Sequence, residues 1–165
     1  MKTIKAMPIT KESFAPFGRY INLMEIPARS SEDFIAHSTP EILTDEPMNL
    51  GITICKAADQ FDSVSMERHM LTEEPQFCGD GEMILTVANS APDGYPLEDD
   101  VRAFIMRPGD VAIVGKGIWH DANHGVGKDT MYYFLATNKE PDNLKEIEWV
   151  DIKPQPVRIE VRGEE

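Results

Sequence analysis

Glu67, His69 and Glu74 stand in the order Glu67-x-His69-x4-Glu74, and Gly81 follows as Glu74-x6-Gly81. A second stretch reads Gly109-x5-Gly115-x-Gly117-x2-His120-x3-His124. Carboxylates and imidazoles ligate first-row divalent metals and exchange protons near neutral pH, so these two stretches hold the chain's candidate chemistry. In an extended strand, period two puts Ser65, Glu67 and His69 on one face and Val64, Met66 and Arg68 on the other. The same period groups Ile118, His120, Ala122 and His124, so His120 and His124 are expected to look inward together. If the Glu67/His69 strand lies opposite them in a small barrel, Glu67, His69, His120 and His124 form a ligand set around an open coordination position. A divalent ion is the cofactor expected there, and nickel, manganese, iron and zinc all suit such donors. Glu67, His69 and His120 are equally the candidates for acid–base catalysis.

These residues need short strands and tight turns to bring them together. Leu50–Cys55, Ser63–His69, Met83–Asn89, Val101–Met106, Val111–Val114, Ile118–His124 and Met131–Thr137 are strand-like by length and by β-branched or aromatic content. Two later segments, Glu146–Ile152 and Val157–Val161, read the same way, the second by alternation of Val157, Ile159 and Val161 with charged neighbours. Turn clusters such as Cys78-Gly79-Asp80-Gly81, Arg107-Pro108-Gly109-Asp110 and Gly115-Lys116-Gly117 separate them. Sequential strands and short turns predict an antiparallel sheet, closed as a sandwich or barrel. Helix is confined to Thr10–Phe14, capped by Thr10 and ended by Gly18, and to Pro141–Lys145. Tyr132 and Phe134 read as core, and Trp119, alternating away from His120, as packing. Arg68 turns away from Glu67 and His69 and is expected in a surface or interface salt bridge.

The chain has 165 residues and a net charge of −13, enough length for one self-sufficient core and no basic cluster. Nucleic acid and anionic membranes are excluded as partners on that charge. Apolar runs such as Val111–Val114 are far below the ~20 residues of a membrane helix, and the first residues lack a signal peptide's apolar stretch. A soluble cytoplasmic protein is expected. Cys55 and Cys78, in no C-x-x-C arrangement, read as ordinary half-buried thiols.

The two spaced patterns resemble the paired motifs of the cupin superfamily, with Glu67 in place of a first histidine, Gly115 in place of a proline and His124 in place of an asparagine, and the resemblance adds Glu74 to the expected metal ligands. The resemblance implies an all-β fold, a cupin-type small β-barrel (double-stranded β-helix, or jelly roll) with a few short helices, spanning 1–165 as a single domain. It narrows further. Ile9-Thr10-Lys11-Glu12-Ser13-Phe14-Ala15-Pro16-Phe17-Gly18, Glu67-Arg68-His69, Arg102-Ala103-Phe104-Ile105 and Ile118-Trp119-His120 resemble, in order and spacing, the ureidoglycolate lyase family of small cupins. That family's activity, implied here, is cleavage of ureidoglycolate to glyoxylate and urea at the end of allantoin breakdown, by a cytoplasmic homodimer. Glu67, Arg68, His69, Arg102 and His120 stand where the family has the same residues, and Lys116 where it has arginine. Two positions depart from it: Gly115 stands where the family tends to have histidine, and Asp121-Ala122 where it has a His-Pro pair.

Elimination from a carbinolamide needs a base for the hydroxyl proton, an acid for the departing urea nitrogen and a cation for the carboxylate. His69 or His120 is the expected base or metal ligand, Glu67 a ligand or acid–base partner, and Arg102 and Lys116 the substrate-binding cations for a small anionic molecule. Two other readings stay open on the sequence: a different cupin enzyme acting on a small polar carboxylate or sugar-like substrate, and a non-catalytic cupin module that binds a metabolite.

Overall fold

The run Met-Ile-Leu-Thr-Val-Ala lacks polar alternation because the strand it forms, Met83–Ala88, is buried on both faces. The computed structural model describes residues 1–44, 46–137 and 149–161 and sets this strand at the centre of the molecule. On one face Met83, Leu85 and Val87 share a core with Phe104, Met106, Cys78, Ala112, Val114 and Tyr132. On the other, Ile84 and Ala88 join Ala103 and Trp119 in a second core with Met66, Val157 and Ile159. Each fully buried aliphatic or aromatic side chain contributes about 1.5–3 kcal/mol against exposure, so these two cores dominate the fold's stability.

Three sheets supply those faces. The outer five-stranded sheet runs Gly18–Asn22, Asp110–Val114, Glu74–Cys78, Thr130–Ala136, Asn49–Cys55, antiparallel throughout. The central sheet pairs Met83–Ala88 with Arg102–Met106 on one side and with Trp119–His120 and His124–Gly125 on the other, and Met7–Pro8 adds a parallel edge. Val157–Glu160 lies between Lys2–Lys5, parallel, and Gln60–Ser63, antiparallel. The all-β fold is as expected, and its jelly-roll character appears as two five-stranded sheets facing across the first core. Among the described residues, no helix is long and apolar enough to cross a membrane.

Helix Lys11–Phe14 plugs one end of that core. Thr10 caps it, its hydroxyl accepting from the Ser13 N–H at 3.1 Å. Its Phe14 meets Phe104 edge-on at 5.5 Å, and Phe17 meets the same ring at 5.8 Å. Gly18 does not end the helix, which stops at Phe14; it opens the next strand, where a Cβ would collide with the Ile113 carbonyl oxygen.

The structure corrects other expectations. Ser63–His69 is not one strand: Gln60–Ser63 and Ser65–Met66 pair with different sheets and break at Val64. Ile118–His124 likewise splits into Trp119–His120 and His124–Gly125. Glu74–Cys78, with a proline at its second residue, forms an interior strand that its composition did not mark. Of Glu146–Ile152, the described part contributes Val150–Asp151, and the expected helix Pro141–Lys145 lies outside the described residues. Cys55 and Cys78 are free thiols, as expected, but buried where half-burial was expected, and burial pushes the Cys78 thiol up to about 12.

Candidate active site

Glu67 and His120 are neighbours across an antiparallel bridge. The Glu67 N–H donates to the His120 carbonyl at 3.0 Å and the His120 N–H to the Glu67 carbonyl at 2.8 Å. Residues directly opposite present their side chains on one face. The Glu67/His69 segment is therefore beside His120, not across a barrel from it. His69 is fixed two residues on, where its carbonyl accepts the Gly117 N–H at 2.7 Å, a contact the left-handed turn at Gly117 (φ 75°) allows.

On the shared face Glu67 Oε1 lies 4.0 Å from His120 Nδ1. Glu74, arriving from the outer sheet, puts Oε2 2.6 Å from His69 Nε2 and 3.6 Å from His120 Nε2. The two imidazoles stand 5.3 Å apart at 31°. Glu67, His69, Glu74 and His120 are thus brought together.

Their environments push the two carboxyls apart. Burial raises Glu67, an effect reinforced by Glu74 and Asp121 and opposed by His69. Burial also acts to raise Glu74, but the His69 hydrogen bond, the charges of His120 and His69 and the Gln76 amide outweigh it, so Glu74 is held below the ordinary carboxyl range. His120 is fully enclosed, and burial drives it below the ordinary histidine value against the pull of Glu74. Two carboxyls set apart beside two imidazoles make an acid–base arrangement.

The same donors fit a divalent ion. Glu67, His69 and His120 each place one ligand atom within 4.8 Å of the others. His120 Nε2 is buried without a hydrogen-bond partner among the described residues, as expected of a nitrogen whose partner is something other than protein.

His124 is not brought to this cluster, and the register gives the reason. His120 lies opposite Val87 and His124 opposite Ile84, so four residues on one strand span three on the other. That extra residue is a bulge, and it turns His124 to the opposite face from His120. There its ring stacks on Phe61 at 3.7 Å and 16°. Asp121, inside the bulge, accepts from the Ser63 hydroxyl at 2.6 Å and from the Ala122 N–H at 2.7 Å, and burial raises its pKa.

Arg102 lies opposite Val87, as does His120 on the other side, which puts all three on one face of the central sheet. Its guanidinium, however, donates outward to the Asp99 and Val101 carbonyls at 2.9 and 2.8 Å. Lys116 is exposed in the turn whose Gly117 anchors His69. Gly115, which departs from the family's histidine, gives its N–H to the Phe17 carbonyl, and a Cβ there would stand 3.2 Å from that oxygen. Arg68 does turn away from the cluster, but into a stack 4.3 Å over Trp119 and a 2.9 Å bond to Ser90, not the expected salt bridge.

Gln76 and Asn123 escaped notice in the sequence. Gln76, 1 % exposed, donates to Glu74 Oε1 at 2.8 Å, and Asn123 donates to Gln76 Oε1 at 2.8 Å. The signal was the alternation of Glu74, Gln76 and Cys78 along a segment not recognised as a strand.

Comparison with known proteins identifies a family for the chain. The family model described as Ureidoglycolate lyase matches residues 1–158. The chain is 27 % identical over 171 residues to a ureidoglycolate lyase of Rhodobacter capsulatus, covering 99 % of this chain and 100 % of that one. It is 25 % identical over 169 residues to a ureidoglycolate lyase of Chelativorans sp., covering 96 % and 97 %. Among solved structures, a 3,4-ketoisomerase from Helicobacter canadensis is similar with a TM-score of 0.49 and 14 % identity, over 74 % of this chain and 89 % of that one.

Proposed function

Because the chain belongs to the ureidoglycolate lyase family, we propose that it cleaves ureidoglycolate to glyoxylate and urea at the Glu67/His69/Glu74/His120 cluster. The observation that supports this site above any other is the convergence of two carboxyls of opposed pKa shift on two imidazoles. The reaction moves one proton from the substrate hydroxyl to the urea nitrogen while the C–N bond breaks and the C–O bond becomes a carbonyl. Glu67, raised by burial above the ordinary carboxyl value and less enclosed than Glu74, suits that transfer: its carboxylate takes the hydroxyl proton, and its acid form delivers it to the departing nitrogen. Glu74, held ionised and 2.6 Å from His69 Nε2, orients that imidazole and offers the cluster a fixed negative charge.

Glu67, His69 and His120 are the residues that would hold a divalent ion, with Glu74 in reach of both imidazoles. When bound, such an ion supplies Lewis acidity at the substrate's oxygens. Lys116, exposed in the turn whose Gly117 is tied to His69, is the cation we propose for the substrate carboxylate; Arg102 would have to release two backbone carbonyls to do so. The homodimer implied by the resemblance would have an uncharged surface available, the row Leu50, Ile52 and Ile54 beside Tyr133.

The test is glyoxylate release from racemic ureidoglycolate above the spontaneous rate, before and after exhaustive chelation and with single divalent ions restored. Enzyme-dependent release establishes the lyase, and its loss on chelation with recovery by one ion establishes the metal. Absence of release under every ion would refute the proposal.

A further inference from the structure

Glu74 is acceptor-only when ionised, and that fixes the direction of every amide behind it. Gln76 must present its NH2 to Glu74 Oε1, at 2.8 Å, so its oxygen faces away. That oxygen in turn requires the NH2 of Asn123, also at 2.8 Å. Gln76 is 1 % and Asn123 4 % exposed, so neither is a solvated surface amide that drifted into contact. A buried amide pair without a function would be replaced at little cost by apolar side chains of the same shape, whereas a half-satisfied one is expensive. This pair keeps that expense: Asn123 Oδ1 is left without a partner among the described residues.

Resting on the lyase reading of the cluster, we infer that Gln76 and Asn123 are positioning residues, a two-amide relay that pins Glu74 Oε1 so that Oε2 alone faces His69 and His120. The relay joins two separate pieces of chain. Gln76 shares the strand Glu74–Cys78 with Glu74, and Asn123 comes from the bulge that follows His120. The bulge therefore does two things at once: it sends His124 to the other core and delivers Asn123 beneath the cluster. Without the Gln76 donor, the Glu74 carboxylate is free to rotate about its last torsion and share either oxygen with the imidazoles, and the 2.6 Å contact to His69 loses its fixed geometry.

The test uses the full-length, metal-free chain labelled with 15N-histidine, as wild type, Gln76→Leu and Asn123→Leu. Only four histidines contribute, so each ring can be followed in long-range 1H–15N spectra, with His37 as the internal control. Expected are displaced ring signals for His69 and His120 in Gln76→Leu, smaller displacements in Asn123→Leu, and an unmoved His37. Turnover should follow, with kcat down by ~10–100-fold, the range typical of partners behind a site's ligands, and KM little changed. Unmoved His69 signals in either variant, with the protein folded by its melting transition, overturn the relay; if Gln76→Leu does not fold, Asn123→Leu decides alone. Displaced rings in a protein whose wild type releases no glyoxylate would leave the relay standing and remove the lyase reading. Release by the wild type with unmoved rings and unchanged kcat in the variants would do the reverse.

Discussion

The two faces of the central sheet carry the same residue types and different chemistry. On one, Glu67, His69, Glu74 and His120 converge with separations of 2.6 to 4.0 Å. On the other, Asp121 and His124 are consumed by local structure, the carboxyl by Ser63 and the Ala122 N–H, the ring by Phe61. A carboxyl near an imidazole is thus not itself a site. What separates the faces is the second carboxyl: Glu74 comes from a different sheet and holds a negative charge where burial alone would have removed it.

Replacing His120 by alanine should break the first face outright, with turnover lower by at least ~10³-fold, the scale of losing a group bound to the reacting centre. His124→Ala should leave turnover within a few-fold and cost about 1 kcal/mol of stability through the lost stack on Phe61. Glyoxylate kinetics and thermal melts of the two variants measure this contrast directly, and equal losses of turnover would erase it.

Arg68 sharpens the same division, because it lies between Glu67 and His69 in sequence yet outside in space. Its stack over Trp119 and its bond to Ser90, which itself donates to the Gly117 carbonyl at 2.6 Å, clamp the Glu67–His69 segment to the His120 strand from behind. Arg68→Ala should lower stability by about 1–2 kcal/mol, from one cation–π contact and one hydrogen bond, and leave KM unchanged. A several-fold rise in KM with stability intact would put Arg68 in the pocket instead.

The smallest expected effect is in pH dependence. Burial holds both His120 and His124 below the ordinary histidine value. Each takes up a proton less readily in the fold than in the unfolded chain, so its share of stability is complete above about 6.5 and is lost as pH falls below it. The slope per histidine is at most about 1.4 kcal/mol per pH unit. His120→Asn should flatten the acid limb of the melting temperature against pH more than His124→Asn, since His120 is the more enclosed. Glu67 and Asp121 work the other way: burial raises both, so the fold binds their protons more tightly and their share of stability is lost as pH rises through the raised values.

Much of the cluster was legible in the chain. Glu67 and His69 on one face with Met66 and Arg68 on the other follow from alternation, and Met66 is indeed fully buried in the second core while Arg68 lies over Trp119. The Ile9–Gly18 block was also readable as a capped turn. His124 was misplaced because period two was carried across a bulge that no residue type announces. Glu74–Cys78 went unseen because a strand with glutamate, proline and glutamine reads as a turn until its polar face has somewhere to be buried.

Sequence by itself determined the all-β class, the family, and which residues have the chemistry to act, because alternation, turn residues and side-chain types are local properties of the chain. Tertiary structure decided which of those residues meet. Register is set by hydrogen bonds between segments far apart in sequence, and a one-residue mismatch between Ile84–Val87 and His120–His124 was enough to send one imidazole to the site and the other to the opposite core. It also decided the charges, since Glu67 and Glu74 are the same side chain and differ only in what surrounds them.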